Sequence, residues 1–394
     1  MAVAVPDRIV IVGAGQGGLQ AAISLRQDGF AGTLTLIGGE SGLPYQRPPL
    51  SKAYLKTGDA EALRLRPDTF FAKSDIALVT GVWIDRIDRD ARTVHAGDRS
   101  FSYDHLILAT GTRNLRPPIP GVDRALDLRT LDDALRLRGA LDSPKRCAVI
   151  GGGFIGLEFA AVAASLGHTV TVAEAAPRLM ARVVSPQMSD RFLRLHQDLG
   201  NTIHLDVPVT QVTDRGIALK DGTTVDADVV LLAAGVVPNA TLAGDAGLAT
   251  DNGIIVDDRL LTDDPAISAL GDCAVFPDPV TGRPVRLESV QAATDHARLI
   301  ARRLLGKSDD PYSAVPWFWS DQADAKLQIA GLATPQDEAV TGPDGTVWRF
   351  AGDRLSAVET INTPKTHMQA RKRLAGAPVD RAALIAADFA LADL

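Results

Sequence analysis

One short pattern occurs twice, and the repetition leaves few architectures open. The β-branched apolar run Arg8–Val12 meets Gly13, an amphipathic stretch follows through Leu25 with Gly29 just past its end, and Thr33–Ile37 is a second apolar run. About 138 residues later the order returns, with an apolar run over 147–150, the glycines Gly151 to Gly153, a stretch to about Leu166, Gly167 as its stop, and a run over 169–173. Each copy reads as strand, glycine turn, helix and strand. Gly13, Gly15 and Gly18, with Gly17 between them, match GxGxxG, as do Gly151, Gly153 and Gly156, with Ile155 between. Between a strand and a helix these glycines permit a tight turn and let backbone amides approach a pyrophosphate, to which the helix N-terminus adds partial positive charge. The spacing is far from the roughly 20 to 50 residues of a solenoid repeat.

The expected fold class is therefore α/β, with two Rossmann-like dinucleotide-binding domains. After Pro316 the character changes to aromatic-rich Trp317–Trp319 and alternating runs such as Leu327–Ala330 and Val347–Phe350, which read as a C-terminal α+β domain. Glu174, at the end of the second copy's last strand, suits hydrogen bonds from a ribose 2′-hydroxyl and repels a 2′-phosphate, so NADH is expected over NADPH. Arg178, four residues on, reads as a solvated loop charge. Two dinucleotide sites in one chain imply one cofactor that stays and one that comes and goes, the economy of a flavin reductase.

Composition removes other classes. With 46% hydrophobic and 23% charged residues the chain is an ordinary globular protein. No apolar stretch approaches the roughly 20 residues that span a bilayer, so the expected location is the cytoplasm, without membrane contact. The two cysteines, Cys147 and Cys273, are far apart and form no CxxC pair, which excludes a disulfide framework or a zinc site. The seven histidines show no metal-ligand spacing, and no metal is expected. A net charge of −7 argues against nucleic acid as a partner.

Several segments together carry a resemblance. LPYQRPPLSKAYL over 43–55, ATG at Ala109–Gly111, LRTL at Leu128–Leu131, GGGFIGLE over 151–158, GDC at Gly271–Cys273 and WFWSDQ over 317–322 are similar to the oxygenase-coupled NADH-dependent ferredoxin reductases, over about residues 8 to 385. The resemblance implies a glutathione-reductase-like arrangement, with an FAD-binding domain over 1–110 and 246–316, an NADH-binding domain over 111–245 and a C-terminal domain over 317–394. It implies tightly bound FAD on Gly13 to Gly18, with Glu40 as candidate ribose acid, Ile84 near the adenine, and Arg47, Thr110, Gly111, Arg129, Asp272 and Val290 along the cofactor. Ala234 and Gly235 resemble the crossing back from the NADH domain. The catalytic candidates are Lys52 near the isoalloxazine, Glu158 paired with it, and Trp319 toward the acceptor.

The implied partner is a [2Fe–2S] ferredoxin that serves a P450 or a Rieske-type oxygenase. Two basic clusters, Lys365, His367, Arg371, Lys372 and Arg373, and Arg298, Arg302 and Arg303, are candidate docking surfaces or solvated faces. A monomer is expected, with a weak dimer as the alternative. Relatives that reduce disulfides, peroxide or oxygen need a cysteine beside the flavin, and residues 38–56 contain none. An NADH oxidase-type flavoenzyme, or a redox-responsive interaction protein resembling apoptosis-inducing factor, remains as an alternative.

Overall fold

Continuous apolar runs without alternation suit strands covered on both faces, as in parallel sheets, and the first copy of the pattern takes that form. In the computed structural model, which describes residues 5–391, Arg8–Val12 is the middle strand of a five-stranded parallel sheet. The order is Ile267–Ala269, His105–Leu108, Arg8–Val12, Thr33–Ile37 and Ala77–Val79. Ile9, Ile11, Leu36 and Ile107 are fully buried in its core. Helix Gln16–Gln27 packs against helix Val290–Leu304. These elements belong to one unit, built from residues up to Gln46, Glu61–Arg113 and Val237–Ala314.

The second unit comprises Arg47–Ala60, Asn114–Val236 and the chain from Val315 on. Its parallel sheet runs Thr202–His204, Thr169–Ala173, Arg146–Ile150, Val229–Leu232. Helix Phe154–Ser165 is apolar on nearly every face, which demands cover on more than one side. It packs on strands Arg146–Ile150 and Thr169–Ala173 of that sheet, on the 3₁₀ turn Pro48–Ser51, and on strand Trp317–Gln322. Glu158 is the one charged residue along it.

Strand Trp317–Gln322 begins a five-stranded antiparallel sheet, ordered Trp317–Gln322, Ala325–Gly331, Arg354–Ile361, Val347–Ala351, Glu338–Thr341. Helix Pro364–Leu374 packs on strands Ala325–Gly331 and Arg354–Ile361 of this sheet. Leu327, Ile329 and Val347 of this sheet share one core with Leu157, Met188 and Phe192. A fully buried ion pair adds direction: Arg349 Nη1 donates to Glu359 Oε1 at 2.9 Å, and Glu359 also accepts from the Ser185 amide and hydroxyl. Ser185 itself caps helix Pro186–Asp198, so removing one member would leave a buried charge unpaired, at about 3 to 5 kcal/mol.

Among the described residues no helix is long and apolar enough to cross a membrane.

Candidate active site

The two glycine turns have the same construction. Gly13 (φ +113°) and Gly151 (φ +111°) take a backbone conformation that disfavours side chains. Their amides donate to the last carbonyl of the neighbouring strand, Ile37 at 2.7 Å and Ala173 at 2.9 Å. A Cβ on Gly18 would stand 1.8 Å from the Gly13 carbonyl oxygen, and one on Gly156 would stand 2.3 Å from that of Gly151. The third glycine of each motif is thus needed for packing of turn against helix. A Cβ on Gly17 would strike Leu270. Gly15 and Gly153, the helix N-caps, differ: a Cβ there meets nothing within 4 Å, and neither cap supplies a side-chain acceptor. Each turn therefore offers unobstructed space in front of helix-start amides, which fits a dinucleotide pyrophosphate. Ile155 lies half-buried in the first turn of the second helix.

Beyond the turns the two copies diverge. Glu174 is the first residue after its strand; its Oε2 accepts from the Gly152 amide at 2.6 Å and its Oε1 from the Ala176 amide at 2.7 Å. Glu40 is the third residue after its strand. Its carboxylate accepts from the Tyr45 hydroxyl at 2.5 Å and its carbonyl from the Gly81 amide at 2.9 Å. A Cβ on Gly38 would lie 2.8 Å from the Ala14 Cβ, so the first position after the strand has no room for an acid there. Arg178 is no solvated charge: its guanidinium donates to the carbonyls of Val184 and Ala181 and to Ser189 Oγ, and burial pulls its pKa down. The nearest arginine by sequence is thereby turned to the backbone.

In the first unit, Thr110 Oγ1 donates to the Asn239 carbonyl at 2.7 Å, and Asn239 returns its side-chain amide to the Thr110 carbonyl at 2.9 Å. The Asn239 amide also donates to the Gly111 carbonyl. Asp272, in the 3₁₀ turn Gly271–Cys273, accepts from Thr112 Oγ1 at 3.3 Å, and its carbonyl accepts from Arg286. Val290 opens helix Val290–Leu304, whose cap is Ser289. Ile84 is directed into the core. Near the Glu40 turn the exposed side chain is instead Trp83, 74% exposed, whose indole rests on Gly39. Gly235, in the second unit, is half-buried with φ +107°, and its carbonyl accepts from the Leu115 amide.

The second unit also assembles a charged centre. Glu158 is 5% exposed, and on one oxygen, Oε2, it accepts from Lys52 Nζ at 2.6 Å and Ser51 Oγ at 2.5 Å. Ser320 Oγ donates to the other, Oε1, at 2.7 Å. Lys52 donates further to the Pro48 carbonyl. Close by in sequence, Arg47 Nη1 donates to the Arg129 carbonyl at 2.6 Å. Arg129 and Thr130 lead into a helix whose capping box is closed by Asp133. Trp319 is on the opposite face of its strand from Ser320. It lies against Trp317 at 5.6 Å, and Arg371 stacks over Trp317.

The basic clusters are smaller than the sequence suggests. His367 is buried, with its pKa pushed down to about 4 by desolvation, and Arg371 is held on Trp317, which leaves Lys365 and Lys372 as the exposed members. Arg303 is turned inward to Ser268 Oγ, and Arg298 pairs with Asp295. Both cysteines are buried; desolvation raises the Cys147 thiol to about 11 and also raises Cys273. Neither presents a reactive thiolate. Among the described residues no group of histidine, cysteine and acidic side chains could hold a metal ion.

Ser51, Ser320, Gln322, Tyr45 and Asn239 are site neighbours that sequence reasoning did not single out. Two of them had a legible signal: Ser320 and Gln322 alternate along a strand, so they share a face, and polar residues on a buried face require partners.

Two dinucleotide-binding folds and a part-buried ammonium–carboxylate pair define a nicotinamide-linked oxidoreductase. The chain belongs to the pyridine nucleotide-disulphide oxidoreductase family, whose model matches residues 7–297, and residues 317–394 match the reductase C-terminal family. It is 47% identical to rhodocoxin reductase from Rhodococcus erythropolis over 381 residues, covering 93% of this chain and 89% of that protein. Its fold superposes with a TM-score of 0.94 on the ferredoxin reductase for the CYP199A2 system from Rhodopseudomonas palustris, at 43% identity and over 98% and 99% of the two chains. A TM-score of 0.91 at 38% identity relates it to the reductase in a covalent putidaredoxin reductase–putidaredoxin complex, over 98% and 99% of the chains. The resemblance read from the sequence is thereby shown, as is the α/β fold with its added C-terminal domain.

Proposed function

We propose that this protein is an FAD-dependent NADH:ferredoxin oxidoreductase, which takes hydride from NADH and passes single electrons to a [2Fe–2S] ferredoxin serving a P450 or Rieske-type oxygenase. The observation that carries the reading is that the chain holds two unobstructed glycine turns and, within the second unit, Lys52 on the carboxylate of Glu158. Bound FAD supplies a centre that accepts a hydride and releases electrons one at a time.

The chain's own residues bind, orient and hold charge. Gly13 to Gly18 receive one pyrophosphate at a helix start, with Glu40, steadied by Tyr45, as the ribose acid. Thr110, Gly111, Asp272, Val290 and Arg47 are assigned along the same cofactor, and Arg129 to its phosphate side. Gly151 to Gly156 receive NADH, and Glu174 takes its ribose hydroxyls. The inward turn of Arg178 favours NADH over NADPH, because the cation nearest in sequence to Glu174 is committed to carbonyl groups. Lys52 is assigned as the positive charge that stabilises the reduced cofactor, and Glu158 as the group that holds it in place. Hydride transfer needs alignment and no general base. Relatives named for rhodocoxin and putidaredoxin support a ferredoxin as acceptor, with Trp319 assigned to the acceptor side. The buried, poorly acidic cysteines weigh against disulfide chemistry in this chain.

Anaerobic stopped-flow absorbance of the yellow protein, mixed with NADH and then with a [2Fe–2S] ferredoxin, tests this reading. Fast bleaching by NADH and fast, salt-dependent return of colour with ferredoxin are expected. Fast bleaching without a ferredoxin response would remove the acceptor assignment, and slow bleaching would favour an interaction protein.

A further inference from the structure

A chain of hydrogen bonds crosses three elements of the second unit and ends on Glu158. Asn201 Nδ2 is 3.0 Å from His196 Nδ1, and His196 Nε2 is 3.0 Å from Gln322 Oε1. Gln322 Nε2 is 3.2 Å from Ser320 Oγ, and Ser320 Oγ is 2.7 Å from Glu158 Oε1. The chemistry of each group sets the direction. An amide nitrogen only donates, so His196 Nδ1 accepts and the ring proton sits on Nε2, facing the Gln322 oxygen, which only accepts. The Gln322 nitrogen then donates to Ser320, and the single Ser320 proton is left for the carboxylate. All four links point the same way. The second Gln322 amide hydrogen faces Met180 Sδ, at 3.7 Å.

Solvent does not compete with these links: His196, Gln322 and Ser320 are fully buried, and Asn201 and Glu158 are 5% exposed. An amide in the middle of the chain cannot pass a proton along, so the arrangement transmits orientation and not protons. It fixes which way one hydroxyl points. That hydroxyl occupies Oε1, and so the carboxylate presents Oε2 to Ser51 and Lys52.

We propose that Gln322 and His196 are positioning residues, which hold Ser320 as a one-way donor to Glu158 and thereby keep the Lys52 ammonium in a single place. This rests on the proposed role of Lys52 and Glu158 in hydride transfer, and it adds to it the strand Trp317–Gln322 as the element that orients the pair.

The test compares Gln322→Glu, Gln322→Met and Ser320→Ala in the full chain with its flavin. Gln322→Glu keeps the shape and, assayed above the raised pKa of this buried carboxyl so that it is ionised, offers only acceptors, so the Ser320 proton turns away from Glu158. Gln322→Met removes both polar ends and leaves the Ser320 proton free to stay. The limiting rate of bleaching at saturating NADH is expected to fall about tenfold in Gln322→Glu and Ser320→Ala, and less in Gln322→Met. Affinity for NAD⁺ should stay within about twofold of the parent. A second readout is independent of the reaction: acylation of Lys52 by acetic anhydride, followed by peptide mass spectrometry, should be severalfold faster in Gln322→Glu and Ser320→Ala. Loss of thermal stability with unchanged limiting rate and unchanged Lys52 acylation would overturn the proposal and leave only packing. If Gln322→Glu does not fold, Ser320→Ala and Gln322→Met decide. If the parent itself is not bleached by NADH, the proposed function fails, and the acylation comparison alone decides the positioning.

Discussion

The first and second glycine turns differ by an exchange of side chains at one contact. In the first, Ala14 faces Gly38; in the second, Gly152 faces Glu174, whose Cβ lies 3.2 Å from where a Cβ on Gly152 would stand. A side chain on Gly152 would meet Leu179 Cδ2 at 2.6 Å as well as Glu174, whereas in the first turn Ala14 is accommodated opposite Gly38 and the acid lies further on, at Glu40, where Tyr45 holds it. One backbone plan thus carries two placements of the acid that follows the strand. The difference suits the proposed division between a resident and an exchanging cofactor. Glu40 sits in a longer loop with a tyrosine clamp, whereas Glu174 is tied by its own carboxylate to the turn it serves.

The largest break of this comparison is expected at the third glycine of each motif. Gly18→Ala drives a Cβ into a backbone carbonyl, and about 3 kcal/mol or more of stability should be lost. Gly156→Ala, with a longer approach, should lose less; urea unfolding measures both. At the second glycine the effect moves from folding to binding. Gly15 and Gly153 already hold φ of −75° and −83°, which alanine accepts. Their alanine variants should stay within about 0.5 kcal/mol of the parent in stability. Gly15→Ala should lose flavin on gel filtration, while Gly153→Ala keeps its flavin and loses roughly tenfold to hundredfold in NADH affinity. Equal flavin loss in both would erase the proposed division of labour.

Acid should act on both units through buried neutral histidines. Desolvation pushes His105 and His296 of the first unit down to about 3 and His367 of the second to about 4. Below about 6.5 the unfolded chain takes up protons that the folded chain refuses, so stability is complete above that pH and falls as pH drops toward these values. The slope is up to about 1.4 kcal/mol per pH unit for each histidine. His105→Asn should flatten it by one histidine's share, which unfolding curves at several pH values would reveal. Smallest of all, Glu174→Gln should raise the KM for NADH about tenfold with little change in kcat and narrow the preference over NADPH. An unchanged preference would remove Glu174 from the ribose site.

Much of the fold was legible because it rests on local rules. Apolar runs ending in glycine, the Cβ-free turn and the helix stop at Gly167 are set by neighbours in sequence, and both parallel sheets follow from them. The site was legible only in part. Lys52 and Glu158 were matched through motif likeness, and the all-apolar helix implies cover for its glutamate, but nothing local says that Ser51 and Ser320 will share its carboxylate. Arg178, Arg303 and His367 read as surface charges along the chain and are turned inward in the structure.

The sequence by itself determined the two nucleotide-binding turns, because the steric freedom of glycine and the period of an apolar strand act over a few residues. Only the tertiary structure decided what surrounds Glu158. Its donors come from residues 51, 52 and 320, far apart in the chain, and it is their desolvated convergence that makes one carboxylate a fixed anchor for Lys52.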